Sequence, residues 1–296
     1  MWTRSVSEPA PDHPDNEDRV LVKGDLVGVF DGVTQPTSIE SGCLHSVAWY
    51  VDRLTTRLSE AAGRDPLAPL ADLLAAAIAA TNGDHGGACD LTNPATLAAT
   101  VCLVRRSGPR LEYLILCDAF LVVDNGRDIA VLTDTRFEQA VAGIRRDYLD
   151  GTTLLGTPEH AQRFVDSERR KYLLTNSDAG YWIAAANPAA ARHAVTGVLP
   201  LTGPNALRRA ALLTDGATRA VDTFAIMDWR ELLDLATTEG PEALIKRIRD
   251  AENGDLTGIA RPRFKRYDDA TIALCEFAGD DDYLSPTQSS AQKASR

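Results

Sequence analysis

Long apolar runs, paired cysteines and positive charge are all scarce in this chain. No stretch of about 18 uncharged apolar residues is available to cross a bilayer. The opening residues are rich in Asp, Glu and Pro where a secretory signal would carry an apolar centre. No membrane partner is expected, and a cytoplasmic location is the expectation that follows. The five cysteines, Cys43, Cys89, Cys102, Cys117 and Cys275, are odd in number, have no CxxC spacing and mostly sit in apolar runs. That pattern predicts reduced, buried thiols and argues against a disulfide framework or a zinc knuckle. In "GDHGGACD" His85 stands near Cys89, but two donors in a glycine-rich loop make a weak metal motif. Basic residues are outnumbered, 31 Lys and Arg against 42 Asp and Glu, for a formal charge of −11. A nucleic-acid partner, which would want a basic stripe, is not expected; cation binding is compatible wherever the carboxylates converge.

What is present is ample for a core. The chain has 296 residues, 44% of them hydrophobic and 25% charged, enough for one large domain. Residues 1–14, with their prolines and acids, are expected to form a flexible N-terminal segment, 15–278 a single domain and 279–296 a disordered tail. "NEDRVLVKGDLVGVF" reads as a hairpin turning at Lys23-Gly24-Asp25. Thr37-Ser38-Ile39-Glu40 has capping-box spacing ahead of the helical period Leu44, Val47, Ala48, Val51, Leu54, Leu58. Asp65-Pro66 is the expected start of a second helix running to Asn82-Gly83. "TLAATVCLVRR", "LEYLILC", "FLVVD" and "DIAVLT" are strand segments with short turns between them, which implies antiparallel pairing. A charged, helical stretch with a loop at "DGTTLLGTPEH" follows. Then come a short helix after Asn187-Pro188, strands "AVTGVLPL" and "RRAALLT", helices capped at Asp228-Glu231 and opened by Gly240-Pro241, and a last strand in "DDATIALCEF". The order is not that of βαβ units. It predicts an α+β fold, a four-layer α-β-β-α sandwich of two stacked antiparallel sheets flanked by helices.

Four carboxylate clusters stand at the ends of apolar segments: Glu17-Asp18 before "RVLV", Asp31-Gly32 after "LVGVF", Asp215-Gly216 after "AALLT" and Asp268-Asp269 before "ATIALCEF". Each alone is an ordinary turn. Together, at the ends of stacked strands, they can meet on one edge, where unpaired carboxylates repel unless cations lie between them. Oxygen donors of this kind suit Mg²⁺ or Mn²⁺.

At these positions the chain resembles the metal-dependent protein phosphatases of type 2C, the PPM family. "NEDR", "VFDG", "ATLAATVCLV", "LILCDAF", "LLTDG" and "DDATIAL" look, in order, like its N-E-D, F-D-G, G-S-T-A, G-D-S, S-D-G and D-N-x-T blocks. "GYWIAAANP" and "TDGATRAVD" resemble a bacterial, especially actinobacterial, branch. The resemblance implies two Mn²⁺ or Mg²⁺ ions that activate water for in-line attack on phosphorus. It makes Asp31 the bridging ligand and the Gly32 carbonyl a further one. Asp215 and Asp268 would hold the first ion, and Glu17 and Asp18 would act largely through bound waters. Asp31 and Asp215 are thereby the catalytic residues, working through the activated water.

Departures from the pattern accompany the matches. His13 stands where the family's phosphate-binding Arg usually lies, and it lacks the bidentate fork of a guanidinium. Val33 stands where some members carry a histidine acid. Asp118 matches one ligand of the family's third metal position, but Arg219 occupies the other and becomes a second phosphate-binding candidate beside His13. Bland readings compete: His13 as a solvated side chain, Asp118 as a strand-end turn, and "ERRK" at 168–171 as a solvated charged face. No nucleophile elbow is present. The expected function is a phosphomonoester hydrolase acting on phosphorylated Ser/Thr protein. A catalytically weak phosphoprotein-binding module and a phosphatase of a small phosphometabolite are the alternatives.

Overall fold

Side chains alternate between the two faces of a strand, and here that alternation sorts the apolar residues into three layers. The computed structural model describes residues 1–13, 15–149 and 151–277. Among these, ten strands form two five-stranded antiparallel sheets. One runs β1 (Trp2–Glu8), β10 (Ala270–Glu276), β9 (Arg209–Leu213), β6 (Phe120–Asp124), β7 (Ile129–Leu132). The other runs β2 (Asp18–Lys23), β3 (Leu26–Gly32), β4 (Ala99–Ser107), β5 (Arg110–Leu116), β8 (Val195–Pro200).

Val27 and Val29 of β3 and Cys102 and Val104 of β4 meet Leu121, Leu212, Ala273 and Cys275 between the sheets. The opposite parity, Phe30, Val101 and Leu103, packs under α1 (Val47–Arg64) and α2 (Leu70–Asp84) through Leu54, Leu58, Leu74 and Ile78. On the other sheet Leu213, Ile272 and Leu274 carry α6 (Trp229–Thr238) and α7 (Pro241–Gly254) through Leu232, Leu233, Ile245 and Ile248. Each of these buried aliphatic side chains contributes roughly 1.5–3 kcal/mol. The expected α-β-β-α order is the one observed. Between strands β7 and β8, α3 (Thr135–Tyr148) and α4 (Pro158–Tyr172) pack on each other, and a single helical turn, α5 (Asp215–Thr218), follows β9. Among the described residues no helix is long and apolar enough to cross a membrane.

Three expectations are corrected. The N-terminal segment begins as β1, paired with β10 from Trp2 opposite Glu276 to Glu8 opposite Ala270. An edge strand is held by main-chain bonds and needs few apolar residues, so its polar sequence concealed it. The box Thr37–Glu40 starts no helix: α1 begins at Val47, where the Ser46 hydroxyl accepts from the Trp49 N–H at 3.2 Å. Residues 33–46 are a loop, tied down by Gln35 Nε2 donating to the Ala95 carbonyl at 2.5 Å and Asn93 Nδ2 to that of Glu40 at 3.0 Å. Asp65-Pro66 is a turn between helices, with the Asp65 N–H donating to the Ala61 carbonyl at 3.0 Å, and α2 starts at Leu70. By contrast, α6 has the expected capping box, Asp228 and Glu231 each accepting from the other's N–H. The tail expected at 279–296 lies outside the described residues.

Candidate metal and phosphate site

Strand register assembles the acids. In the antiparallel β2–β3 pair Asp18 lies directly opposite Asp31. Asp31 shares the parity of Val27 and Val29, so it continues the face between the sheets to the end of the strand. In the other sheet β9 ends where β10 begins, and this places Asp215 and Asp268 at the same end of the cleft. Two glycines permit the approach. A Cβ on Gly32 would lie 2.3 Å from Val47 Cγ1, and one on Gly216 would lie 1.9 Å from the Asp269 carbonyl oxygen. Asp31, Gly32, Asp118, Asp215 and Asp268 all line one cavity of about 870 Å³, with α3 and α4 along its side.

The carboxylates strain against one another. Burial, with Asp18, Asp215 and Asp268 adding to it, holds the Asp31 carboxyl well above its usual range. Asp18, only 1% exposed, is pushed up by burial although Thr214 Oγ1 donates to its Oδ2 at 2.9 Å. Its Oδ1 is buried with no hydrogen-bond partner. Burial and Asp268 raise Asp215. Burial also raises Glu17, against a hydrogen bond from Thr34 Oγ1 at 2.5 Å. An orphaned carboxylate oxygen beside acids that resist ionising is a donor set that fits a divalent cation.

Asp268 is the exception. Against the effect of burial, Lys265 and Arg219 hold its carboxyl below the usual range. Lys265 Nζ donates to Asp268 Oδ1 at 2.8 Å and to Thr34 Oγ1 at 3.0 Å, and Arg219 Nη2 donates to Asp268 Oδ2 at 2.6 Å. Neither lysine nor its contact is anticipated by the motif blocks. The available signal was the basic run "RPRFKRY" leading into Asp268-Asp269. Asp269, the second acid of that cluster, is structural: its carboxylate accepts from the N–H groups of Ala10 at 2.7 Å and Glu17 at 2.5 Å, pinning the chain ahead of β2.

The phosphate candidates fall out differently. Arg219 is buried but lines the cavity, and its other nitrogen, Nη1, donates to Glu252 Oε1 at 2.7 Å, so both terminal nitrogens are engaged by carboxylates. His13 is exposed, its Nδ1 2.8 Å from the Asp15 carbonyl, and that bond raises its pKa. It is absent from the cavity lining. Asp118 faces the cavity from the turn after β5, where Cys117 adopts φ 66°. Burial and Asp215 raise the Asp118 carboxyl to about 6. The run 168–171 divides: Arg169 and Arg170 are exposed, as a solvated face would be, whereas Glu168 is buried and pairs with Lys171 at 2.6 Å on the cavity wall.

The cysteines divide. Cys102, Cys117 and Cys275 are buried, as expected. Cys43 and Cys89 are half-exposed in loops, with their sulfurs 3.3 Å apart, and they meet His45 and His85. The motif that looked weak as a pair is part of a four-residue cluster, because Cys43 and His45 are brought to it across the α1–α2 hairpin.

No protein-family model matches the chain, and no curated protein matches it in sequence. Its three-dimensional likeness is nevertheless clear: the fold is that of the PPM-type serine/threonine phosphatases. The PPM Ser-Thr phosphatase MsPP from Mycobacterium smegmatis, in complex with cacodylate, is similar at a TM-score of 0.55 and 17% identity over 94% of this chain and 99% of its own. The catalytic domain of PstP in complex with two manganese ions aligns at 0.52 and 15%, over 93% and 97%. Stp1 from Staphylococcus aureus aligns at 0.54 and 15%, over 94% and 96%.

Proposed function

We propose that this protein is a metal-dependent phosphomonoester hydrolase whose substrates are phosphoserine and phosphothreonine in proteins. The observation that carries the reading is the meeting of Asp18 and Asp31 from one sheet with Asp215 and Asp268 from the other, around a buried oxygen that has no partner. Asp31, the Gly32 carbonyl, Asp215 and Asp268 would hold the two cations, and Glu17 and Asp18 would act largely through bound water. Mn²⁺ or Mg²⁺ bound there would acidify an attacking water and offset charge on the phosphoryl oxygens. The chain's own part is placement. Thr34 orients Glu17, Thr214 orients Asp18, and Arg219, anchored on Glu252, fixes Asp268. The cavity walls from α3 and α4 would hold the residues flanking the phosphate. With Val33 two residues after Asp31, no imidazole stands at that point to protonate the leaving alkoxide, and that proton would come from water or another group.

One observation favours a second reading. Lys265 and Arg219 already neutralise Asp268 from within, which suits a phosphatase-like module that binds phosphoproteins without turning them over. Turnover of para-nitrophenyl phosphate and of phosphoserine peptides with and without Mn²⁺, beside calorimetric metal titration, separates the two. Metal-dependent turnover is expected. Cation binding with no turnover of any phosphoprotein would replace the enzyme with the module, and activity confined to a panel of small phosphometabolites would move the substrate class.

A further inference from the structure

The loop between β3 and α1 carries Cys43 and His45, and the loop after α2 carries His85 and Cys89. The α1–α2 hairpin folds these pairs together so that all four donor atoms lie within 4.8 Å of one another. Cys43 Sγ is 3.5 Å from His45 Nδ1, 3.5 Å from His85 Nδ1 and 3.3 Å from Cys89 Sγ, and Cys89 Sγ is 3.5 Å from His45 Nδ1. With Zn–S about 2.3 Å and Zn–N about 2.0–2.1 Å, a tetrahedron has S–N edges of about 3.5 Å and an S–S edge of about 3.8 Å. The three S–N separations already have that length, and the S–S separation needs only a small opening. A disulfide would need the sulfurs at about 2.05 Å, and both cysteines are free.

We propose that Cys43, His45, His85 and Cys89 form a structural zinc site that staples the β3–α1 loop to the C-terminal end of α2. Two thiolates and two imidazoles in a closed tetrahedral set are donors that select zinc over Mg²⁺ or Mn²⁺. On binding, the two thiols release their protons to solvent and both imidazoles ligate in the neutral form. The surroundings suit this charge. The N–H groups of His45 and Leu44 point at Cys43 Sγ and Cys89 Sγ, each at 3.4 Å, and amide donors of this kind offset thiolate charge. The His45 ring stacks on Trp49 at 3.7 Å, the His85 ring meets Trp49 edge-on at 4.9 Å, and His85 is buried, so both ligand rings are fixed by packing.

The staple also bears on the cavity. The same two loops are joined by the Asp90 N–H donating to the Gly42 carbonyl at 2.8 Å, and they carry Thr34 and Thr96 to the cavity wall. Zinc would therefore hold one wall at a distance from the carboxylates, without being part of the reaction.

The test is metal analysis of the full chain purified without chelator, together with the absorption spectrum after exchange into Co²⁺. About one zinc per chain is expected, and the cobalt form should show visible d–d bands and near-ultraviolet thiolate charge transfer typical of tetrahedral sulfur ligation. Cys43→Ser and Cys89→Ser should lose both signatures; His45→Asn, which spares the thiols, should weaken zinc retention against a chelator by at least about tenfold if the serine variants do not fold. Asp31→Asn should leave both signatures intact, which keeps this site distinct from the cavity. Zinc-free wild-type protein, a Cys43–Cys89 disulfide detected by mass as two missing hydrogens, or undiminished zinc in Cys43→Ser would each overturn the proposal.

Discussion

The acidic cavity and the Cys-His cluster both gather metal-type donors, but they are assembled in opposite ways. The cavity's carboxylates sit at strand ends whose positions follow from ladder register: Asp18 faces Asp31 because β2 and β3 pair residue for residue. Its donors are oxygens, and it carries its own cations in Lys265 and Arg219. The Cys-His donors sit in two loops joined by a helical hairpin, and their meeting depends on how α1 and α2 pack. Strand periodicity transmits directly into position, whereas loop contacts across a hairpin do not show in any short window of sequence.

Four experiments press on that contrast. The largest effect is expected from Asp31→Asn or Asp215→Asn, each lowering Mn²⁺-dependent turnover by at least about a thousandfold, roughly 4 kcal/mol, with the circular dichroism of the chain unchanged. Full activity of Asp31→Asn in EDTA would remove the cavity from the chemistry altogether. Next comes Arg219→Ala. It leaves the fully buried Glu252 with Arg249 alone and Asp268 with Lys265 alone, so two charge-assisted hydrogen bonds are lost and unfolding in urea should show a loss of about 2–4 kcal/mol. A loss under about 1 kcal/mol would mean that Arg249 and Lys265 suffice to hold the two acids without Arg219.

A smaller effect is expected from pH in metal-free protein. The Asp118 carboxyl is raised from 3.8 to about 6, so it binds its proton more tightly in the folded state. Its destabilisation therefore begins as pH rises through 3.8 and is complete above about 6, at no more than about 3 kcal/mol. Melting temperature followed between about pH 4 and 8 should fall across that window, and Asp118→Asn should flatten the curve. A steeper fall in the variant would contradict the assignment. The smallest effect sought is from Lys265→Met. Freeing Asp268 from an internal ammonium should tighten Mn²⁺ binding about tenfold, or 1.4 kcal/mol, by calorimetry. Unchanged affinity together with a raised KM would instead place Lys265 on the substrate phosphate.

Much of the architecture was legible because the strands are short, apolar and punctuated by turn residues. "FLVVD" coincides with β6, and the Asp228-Glu231 box caps α6 as read. The four acid clusters were legible for the same reason, each marking the end of a buried run. Edge strand β1 was missed because main-chain pairing asks little of its side chains. The start of α1 was misplaced because a capping-box spacing at Thr37–Glu40 competes with the cap at Ser46, and the intervening loop is held by tertiary bonds from Asn93 and Gln35. The Glu168–Lys171 pair read as part of a solvated charged face, since burial of a charge depends on what packs over it.

By itself the sequence determined the alternation of strands and helices, the two-sheet stack and the placing of Asp18, Asp31, Asp215 and Asp268 at strand ends, because side-chain parity and turn chemistry are local properties. Tertiary structure alone decided that Arg219 leans on Asp268 and Glu252, that Lys265 reaches Thr34, and that Cys43 and His45 come to lie against His85 and Cys89. Those outcomes depend on the packing of segments from 33 to more than 200 residues apart along the chain, the separations being 33 for Arg219–Glu252, 42 for Cys43–His85 and 231 for Lys265–Thr34.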